Sequence, residues 1–259
     1  MVASILAGNT AGQLWEIPGE GQRSVLLLWD KGNDVFYLTG EGHETLARNR
    51  LADLISHQAL PQAKAEGVRR FKVRALSESL EPILPQIFAG VDLHASPSLF
   101  CVHDPASNTE IVPAPSMSGV YLERITGATF AEGAYAGSEQ VRDEIRGMWP
   151  SEERFHECGF GMLAIRDGGG ADPEIVCWCT AEYVGPTHCG VGIATNPAFE
   201  RRGIATATAL SFVGEARARG LTPCWECGVL NLASRRVAQK AGFVRVEEPR
   251  YWVGSLAPG

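Results

Sequence analysis

The sequence lacks any apolar run long enough to cross a bilayer. The longest run near the start, Val25 to Trp29, has the length of a strand, whereas a membrane-spanning helix needs about 20 apolar residues. The opening segment, Met1 to Gly8, carries neither the positive charge nor the apolar length of a signal peptide. We therefore expect a cytoplasmic protein that has no membrane partner.

Positive charge is also in short supply. Lys and Arg total 23 against 30 Asp and Glu, which leaves a net charge of -7 over 259 residues. An acidic surface repels phosphate backbones, so we expect no nucleic-acid partner, whereas it attracts a cationic amine. The hydrophobic share of 45% and the charged share of 20% are typical of a globular protein. The length allows two modest domains.

The cysteines are odd in number. There are 7, and in a reducing compartment we expect them to be free thiols. Two groups, Cys177-Trp178-Cys179 and Cys224-Trp225-Glu226-Cys227, have spacings within the range of zinc ligands. Both lie in apolar, strand-like sequence instead of glycine-rich knuckles, so small buried thiols are the interpretation we favour over zinc. We therefore expect no bound metal.

Turn and linker residues separate two regions. Residues 104–118 are rich in Pro, Ser, Asn and Asp, as linkers are. We place a domain boundary there and predict a smaller N-terminal α/β region, 1–115, which we expect to wall the acceptor side, and a second domain, 116–259. In the first region, patterning predicts strands at 24–29, 35–38, 70–74 and 99–103, and helices at 43–58 and 76–88, the latter broken by Pro82 and Pro85.

The second region alternates strands and helices. The antiparallel pair at 160–166 and 174–183 is joined by a glycine-rich turn, and a helix at 203–219 ends at Gly220. The other predicted strands are 120–125, 191–195, 223–229, 243–246 and 250–253, and the other predicted helices are 130–149 and 232–241.

One segment carries a recognisable anion site. The strand that ends at Thr195 is followed by a proline turn and by Arg201-Arg202-Gly203, which opens a helix. The first N–H groups of a helix have no partner within it, and with the helix dipole they attract phosphates. Gly203 lets a diphosphate approach the backbone, both arginines add charge, Ala205 leaves room and Thr206 adds a hydroxyl.

A second segment follows at a fitting distance. Asn231 is an expected N-cap, Ser234 lies in the first turn, and the helix ends at Lys240-Ala241-Gly242-Phe243. Both segments, in this order, resemble the GNAT superfamily of N-acetyltransferases. The sequences Phe155 to Gly161, Cys177-Trp178-Cys179 and Pro223 to Cys227 are similar to the subgroup that includes the zwittermicin A resistance acetyltransferase, which also carries an extra N-terminal region.

The resemblance implies an α/β (α+β) fold whose C-terminal domain has a mixed, mostly antiparallel sheet flanked by helices. It implies acetyl-CoA as the acyl donor, with the pantetheine arm along Ile193, Ala194 and Thr195, which requires that strand to diverge from the strand at 223–229. The backbone N–H of Ile193 or Ala194 would hold the oxyanion. Arg201, Arg202, Gly203, Ala205 and Thr206 would bind the phosphates, and Asn231 and Ser234 would contact the cofactor.

The chain departs from the family pattern in its acid and base positions. Glu200 stands at the first phosphate-loop position, where the family has Gln or Arg. Ala238 stands where many members have a tyrosine that protonates the thiolate, and the strand position of a glutamate base falls near Gly190. We predict Glu226 as the catalytic base. Glu182, His188 and water are alternatives, and a structural pairing of Glu226 with Arg235 is the competing interpretation.

The function predicted from these features is acetyl transfer from acetyl-CoA to a primary amine of a small, cationic acceptor. A non-catalytic acyl-CoA-binding or regulatory module is the alternative, because the expected tyrosine and strand glutamate are missing. A structural α/β protein that matches the motif by coincidence is a third hypothesis. The sequence leaves a homodimer open as a further partner.

Overall fold

The computed structural model describes residues 1–19, 24–40, 45–107, 119–131, 134–169 and 172–256. The strands in this part of the chain are β1 (Gly12–Pro18), β2 (Ser24–Asp30), β3 (Val35–Gly40), β4 (Arg70–Ala75), β5 (His94–His103), β6 (Val120–Arg124), β7 (Gly161–Arg166), β8 (Glu174–Val184), β9 (His188–Thr195), β10 (Thr222–Gly228), β11 (Phe243–Glu247) and β12 (Arg250–Ser255).

The helices carry the anion site and flank the strands. They are α1 (Val2–Leu6), α2 (Thr45–Leu54), α3 (Leu60–Ala65), α4 (Leu84–Ile87), α5 (Ser138–Met148), α6 (Glu152–Cys158), α7 (Ile204–Ala218) and α8 (Leu232–Lys240). A π-helical turn, Ile55–Ala59, joins α2 to α3, and short 3-10 turns occur at Glu81–Ile83, Gly127–Phe130 and Pro197–Phe199. Among the described residues, no helix is long and apolar enough to cross a membrane.

The chain forms two compact units. The larger unit contains Met1–Ala11 and Leu99–Glu248, and the smaller unit contains Gly12–Ser98 with the C-terminal segment from Pro249. These bounds follow spatial contact, whereas the predicted domains 1–115 and 116–259 concern separate roles, and that division stays a prediction. The centre of the predicted linker, residues 108–118, lies outside the described residues.

The larger unit is built on a mixed sheet in the order β5, β10, β9, β8, β7, β6, with β11 on the other edge of β5. The pairs from β6 to β9 are antiparallel, and β9 pairs with β10 in parallel. The predicted mixed, mostly antiparallel sheet flanked by helices is therefore confirmed. Its core includes the fully buried rings of Trp149, Phe155, Phe212 and Trp225, which supply much of the apolar area that stabilises it.

The smaller unit has its own sheet and core. Its strands run in the order β1, β2, β3, β4, β12 and then residues 94–98 of β5. Trp29, Phe36, Phe71 and Phe88 form a chain of aromatic contacts with ring centroids 5.6 to 5.8 Å apart. These rings lie in one cluster with Leu51 of α2.

Several predicted elements differ from the observed ones. The predicted helix 130–149 begins only at Ser138, because Gly137 has φ 86° and the backbone of Ala136 bonds to Pro173 and Ile175 instead. The predicted helix 76–88 reduces to single turns around its prolines. Sequence patterning missed α1, β1 and α6, although Ser151 caps α6 through its side chain. The start of the predicted helix 43–58 lies outside the described residues.

Candidate functional site

Strands β9 and β10 separate at the centre of the larger unit. Their parallel pairing joins Thr222 to His188, Pro223 to Cys189 and Cys224 to Gly190, and both strands continue beyond this last pair. The result is a V-shaped opening between residues 191–195 of β9 and residues 225–228 of β10. The divergence that the family resemblance requires is therefore confirmed.

The backbone of β9 presents alternate residues to this opening. Asn196 donates its backbone N–H to the Val176 carbonyl on β8 at 2.9 Å. In an antiparallel pair the hydrogen-bonded positions alternate, so Ala194 is also turned towards β8. The backbone groups of Ile193 and Thr195 face the opposite way, towards the opening. Of the two N–H groups predicted for an oxyanion, the geometry therefore favours Ile193.

Helix α7 begins beside the end of β9, at a turn of left-handed backbone. Gly203 is the N-cap with φ 82°, and Arg201 has φ 59°. The backbone of Ala207 is the first to bond back to Gly203, which leaves the N–H groups of Ile204, Ala205 and Thr206 pointing out of the helix end. Residues that carry a side chain rarely adopt such φ values. The tight turn at Arg-Arg-Gly directs the free N–H groups of the helix outwards, where they form an anion site.

Helix α8 supplies the facing wall. Asn231 caps it, because its side-chain oxygen accepts from the Ser234 backbone N–H at 3.1 Å. The Ser234 hydroxyl is 2.9 Å from Nε1 of Trp225 on β10, and Trp225 is buried. The Asn231 oxygen is thus used in the cap, while its amide nitrogen remains available as a donor.

A cleft of about 510 Å³ lies between these elements, which is within the usual size of a small-molecule site. Predicted cofactor residues that line it are Ile193, Thr195, Arg201, Gly203, Ala205, Thr206, Asn231 and Ser234. The other lining residues were not predicted as cofactor contacts, and they are Phe199, Glu200, Ile204, Ala233, Arg236, Val237 and Lys240.

Two of these missed residues add positive charge. Arg236 and Lys240 lie one turn apart on α8 and, with Arg201, place three cations around the cleft, against the single carboxylate of Glu200. Their i, i+4 spacing just after the Asn231 cap is a signal that sequence analysis could have used. The electrostatics of the cleft therefore suit a polyanionic ligand.

Other predicted residues lie outside the lining of this cleft. Arg202 donates to the Ala198 carbonyl at 2.9 Å and covers the Phe199 ring. Ala194 is half-buried in β9, on the opposite face from Ile193. Glu226 is an exposed residue of β10, and alternation places it on the face opposite to Trp225. Their predicted roles stay predictions.

Core packing accounts for the residues at the two positions where the family pattern has a tyrosine acid and a glutamate base. Ala238 is buried, as expected for a core residue of α8. A side chain at Gly190 would overlap the ring of Tyr183 from β8, and burial raises the pKa of Tyr183 far above its ordinary value. His188 is exposed at the start of β9, the end remote from the cleft. A glutamate at position 190 is thus excluded by packing.

The cysteines behave as packing residues. All 7 are free, and Cys177, Cys179 and Cys224 are buried. Burial raises the pKa of the Cys177 and Cys179 thiols, and Cys177 accepts a hydrogen bond from the Thr195 hydroxyl at 3.2 Å. Within the ranges that the structure describes, no group of three or more His, Cys, Asp and Glu could hold a metal ion.

Comparison with known proteins identifies the family. A family model described as GNAT acetyltransferase matches residues 1–251. The chain belongs to the GNAT acetyltransferase family. It is therefore an acyltransferase, and N-acetylation with acetyl-CoA is the usual reaction of this family. The match also takes in the N-terminal residues, for which the sequence motifs offered little.

Relatives of this GNAT protein agree with that assignment. An uncharacterized N-acetyltransferase, YdfB of Bacillus subtilis strain 168, is 23% identical over 187 residues, which cover 72% of this chain and 67% of YdfB. A GCN5-related N-acetyltransferase-like protein from Streptococcus suis superposes with a TM-score of 0.63 at 15% identity, over 96% of this chain and 90% of that one.

A second solved structure extends over nearly the same length. The GCN5-related N-acetyltransferase from Kribbella flavida has a TM-score of 0.59 at 13% identity and covers 98% of this chain and 94% of its own. At such low identity these structures support the fold alone. They match an α/β architecture in which a mostly antiparallel sheet is flanked by helices.

Proposed function

We propose that this GNAT enzyme binds acetyl-CoA in the cleft between α7 and α8 and transfers the acetyl group to a primary amine of a small, cationic acceptor. One observation carries the proposal. The outward-facing N-terminus of α7 and the opening between β9 and β10 border one continuous cleft, lined by both Gly203 and Ile193. A ligand with a diphosphate at one end and a thioester at the other fits this arrangement.

The residues around the cleft divide the work of binding. The N–H groups of Ile204 to Thr206 would hold the diphosphate, because a helix N-terminus favours anions. Arg201, Arg236 and Lys240 would add charge-assisted contacts to phosphate oxygens. The exposed edge of β9 at Ile193 and Thr195 would pair with the amides of the pantetheine arm in the manner of an added strand, and the Asn231 amide would donate to the same arm.

The chemistry needs little beyond this geometry. The Ile193 N–H would donate to the thioester oxygen as negative charge develops on it. A thiol with a pKa near ~8.5 leaves readily as a thiolate, so the absence of a tyrosine at Ala238 is tolerable. Glu226 is the base that the sequence predicts, and its exposed position on β10 faces away from the cofactor cleft.

The acceptor class rests on charge. The net charge of -7 would draw cations towards the protein. An alkyl amine is such a cation at neutral pH, and its ammonium group must lose a proton before the nitrogen attacks. The relation to the zwittermicin A resistance subgroup, the cytoplasmic location and a homodimer stay predictions. Wall formation by residues 1–115 on the acceptor side also stays a prediction.

Cofactor binding is tested first, by titrating CoA into the wild type and into Gly203→Leu in a calorimeter. The leucine would strain the backbone at φ 82° and keep phosphates away from the turn, so we expect binding to be lost while the fold persists. Gly220→Leu is the matched control, because Gly220 has φ 72° and open space around its Cβ position. It should suffer the same strain yet bind CoA normally. A wild type without CoA affinity would contradict the proposal.

Turnover is tested second, by measuring thiol release from acetyl-CoA in the presence of primary amines. Release that depends on an amine identifies an acetyltransferase. CoA binding with no release from any member of the panel would favour a binding or regulatory module.

A further inference from the structure

Strand β9 has a second face, opposite the cleft, on which two side chains are missing. Gly190 and Gly192 point to this face, since they alternate with residues such as Ile193 that line the cleft. A Cβ atom at Gly192 would lie 3.0 Å from Oε1 of Glu182 and 3.3 Å from Oε1 of Glu144. Two carboxylates, one from β8 and one from α5, thus converge over a single glycine beside the predicted oxyanion position.

Glu144 is not neutralised by the arginines of its own helix. Arg142 and Arg146 of α5 are held by Glu139 and Glu152. Burial raises the pKa of Glu144, and among the described residues no hydrogen bond or ion pair joins its carboxylate to a partner. Burial disfavours a bare carboxylate, so a cation that binds beside Glu144 is stabilised.

Orphaned polar atoms mark the same place. Thr180 is 2% exposed and pairs directly with Gly192, so its side chain projects from the same face of the sheet as the missing Gly192 side chain. Its Oγ1 has no hydrogen-bond partner in the described part of the chain, and neither has Nε1 of Trp178, which shares that face. Buried polar atoms normally find partners, so these atoms point to a polar ligand over Gly192.

We propose that Glu144 and Glu182 bind the ammonium group of the acceptor over Gly192 and take up its proton. This inference rests on the proposed function and specifies how its acceptor is held. A primary ammonium has three N–H donors, and the two carboxylates with the Thr180 hydroxyl offer three acceptor groups. The carboxylates of Glu182 on β8 and Glu144 on α5 would thus replace a glutamate that β9 itself lacks.

Proton transfer to the pair precedes attack on the thioester. A carboxylate of the pair removes one proton from the ammonium, and the neutral nitrogen attacks the thioester carbon. The N–C bond forms, the C–S bond breaks, and sulfur leaves with the electron pair. The nitrogen loses its second proton to the thiolate, directly or through water, which yields the amide and the CoA thiol. The carboxylic acid then releases its proton to solvent.

The pair differs from Glu226 in its surroundings. Glu182 and Glu144 are half-buried, whereas Glu226 is exposed on β10. A base works best when its pKa is raised towards neutral pH, and burial raises the pKa of Glu144 in that direction. The geometry therefore assigns the proton to the pair, and Glu226 lies further out on the same face, beyond Cys224.

The test uses the full chain with acetyl-CoA and with n-butylamine and 1,4-diaminobutane as acceptors. The variants are Glu144→Gln, Glu182→Gln, Glu226→Gln and the control Glu157→Gln, which removes an exposed carboxylate of α6. We expect kcat/KM for the amine to fall about 10²-fold in each of the first two variants, as loss of a general base does. KM for acetyl-CoA should be unchanged, Glu157→Gln should match the wild type, and Glu226→Gln should lose far less.

Stability separates a functional role from a structural one. Replacing a half-buried carboxylate by a neutral amide removes a desolvation cost, so the melting temperatures of Glu144→Gln and Glu182→Gln should equal or exceed that of the wild type. A clear fall in both melting temperatures would mean that the carboxylates serve the fold, and it would overturn the inference. So would wild-type amine kinetics in both variants.

A binding measurement decides the case in which neither amine is acetylated. Saturation-transfer NMR would follow n-butylammonium in the presence of the CoA complex of each protein. We expect binding to the wild type and loss of binding in the double variant Glu144→Gln/Glu182→Gln. Equal binding by both proteins, or none by the wild type, would overturn the inference, while calorimetric CoA binding reports separately on the proposed function.

Discussion

The two faces of strand β9 carry opposite charge. On one face, Ile193 and Thr195 line a cleft that also contains Arg201, Arg236 and Lys240. On the other face, Gly192 lies under the carboxylates of Glu144 and Glu182. The sheet thus separates a cationic environment from an anionic one by the thickness of a single strand.

This contrast corresponds to the two ligands of the proposed reaction. CoA is a polyanion, and an alkyl amine is a cation at neutral pH, so each would be attracted to one face and repelled by the other. They would meet where β9 parts from β10, beside Ile193. The Glu182 side chain lies directly over Gly192, whereas the space at Gly190 is filled by the Tyr183 ring.

The largest expected effect comes from removing the charge on the cleft side. In the double variant Arg236→Gln/Lys240→Gln, we expect the affinity for CoA to fall on the order of 10²-fold, because each charge-assisted contact is worth about 1.5–3 kcal/mol. Calorimetry with CoA measures this. Arg217→Gln, at the exposed far end of α7, is the control and should bind normally. Unchanged affinity in the double variant would show that the phosphates lie elsewhere.

The next effect concerns the glycine whose site is already filled. Gly190→Ala should lower the free energy of unfolding by about 1–3 kcal/mol, because its methyl group would overlap the Tyr183 ring and force the strands to shift. Thermal or denaturant unfolding measures the change. Gly228→Ala, at a β10 position with open space, serves as the control, and equal stability of the two variants would contradict this account of the packing.

A similar loss is expected from Ser234→Ala. The change removes the acceptor for the buried Trp225 N–H, and an unsatisfied buried donor costs about 1–3 kcal/mol. The double variant Ser234→Ala/Trp225→Phe should lose less than the sum of the two single losses, because both hydrogen-bonding partners are then gone. Denaturant titration of the single and double variants provides the double-mutant cycle. Additive losses would mean that Ser234 serves the cofactor more than the core.

The smallest effect is expected for Arg202. Its guanidinium covers Phe199 and donates to the Ala198 carbonyl. Arg202→Gln should therefore weaken CoA binding only indirectly, by removing contacts that hold the turn in place. A surface cation–π contact is worth about 0.5–1 kcal/mol, which sets the scale of the loss. Arg201→Gln, whose residue lines the cleft, should lose more. The reverse order would place Arg202 on the phosphates.

Much of the proposed cofactor-binding part of the site could be predicted from the sequence. Helix α7 and the cap of α8 by Asn231 were expected and are observed, and Gly203, which was expected to open α7, is its N-cap. Such features are encoded within a few neighbouring residues, because caps and helix entries depend on local backbone geometry. The divergence of β9 from β10 followed from the family resemblance and is observed as well.

Other elements depended on contacts that local patterning does not contain. The helix predicted from Phe130 begins later because the backbone of Ala136 bonds to Pro173 and Ile175, residues that are remote in the chain. Strand β1 was missed because its residue types do not follow its burial: Leu14 is exposed, whereas Gln13 is half-buried. Pairing with β2 decides its structure, and such tertiary pairing overrides local propensity.

The features near Gly203 and Asn231 follow from the sequence alone, since the residues that form each end of the cleft are contiguous. The proposed acceptor face depends on tertiary packing. Glu144 and Glu182 belong to a helix and a strand with no shared motif, and each has the appearance of an ordinary surface glutamate in the sequence. Their meeting over Gly192 arises from how α5 packs against β8 and from the register of β8 with β9. Side-chain convergence of this kind is a property of packing, which sequence periodicity does not specify.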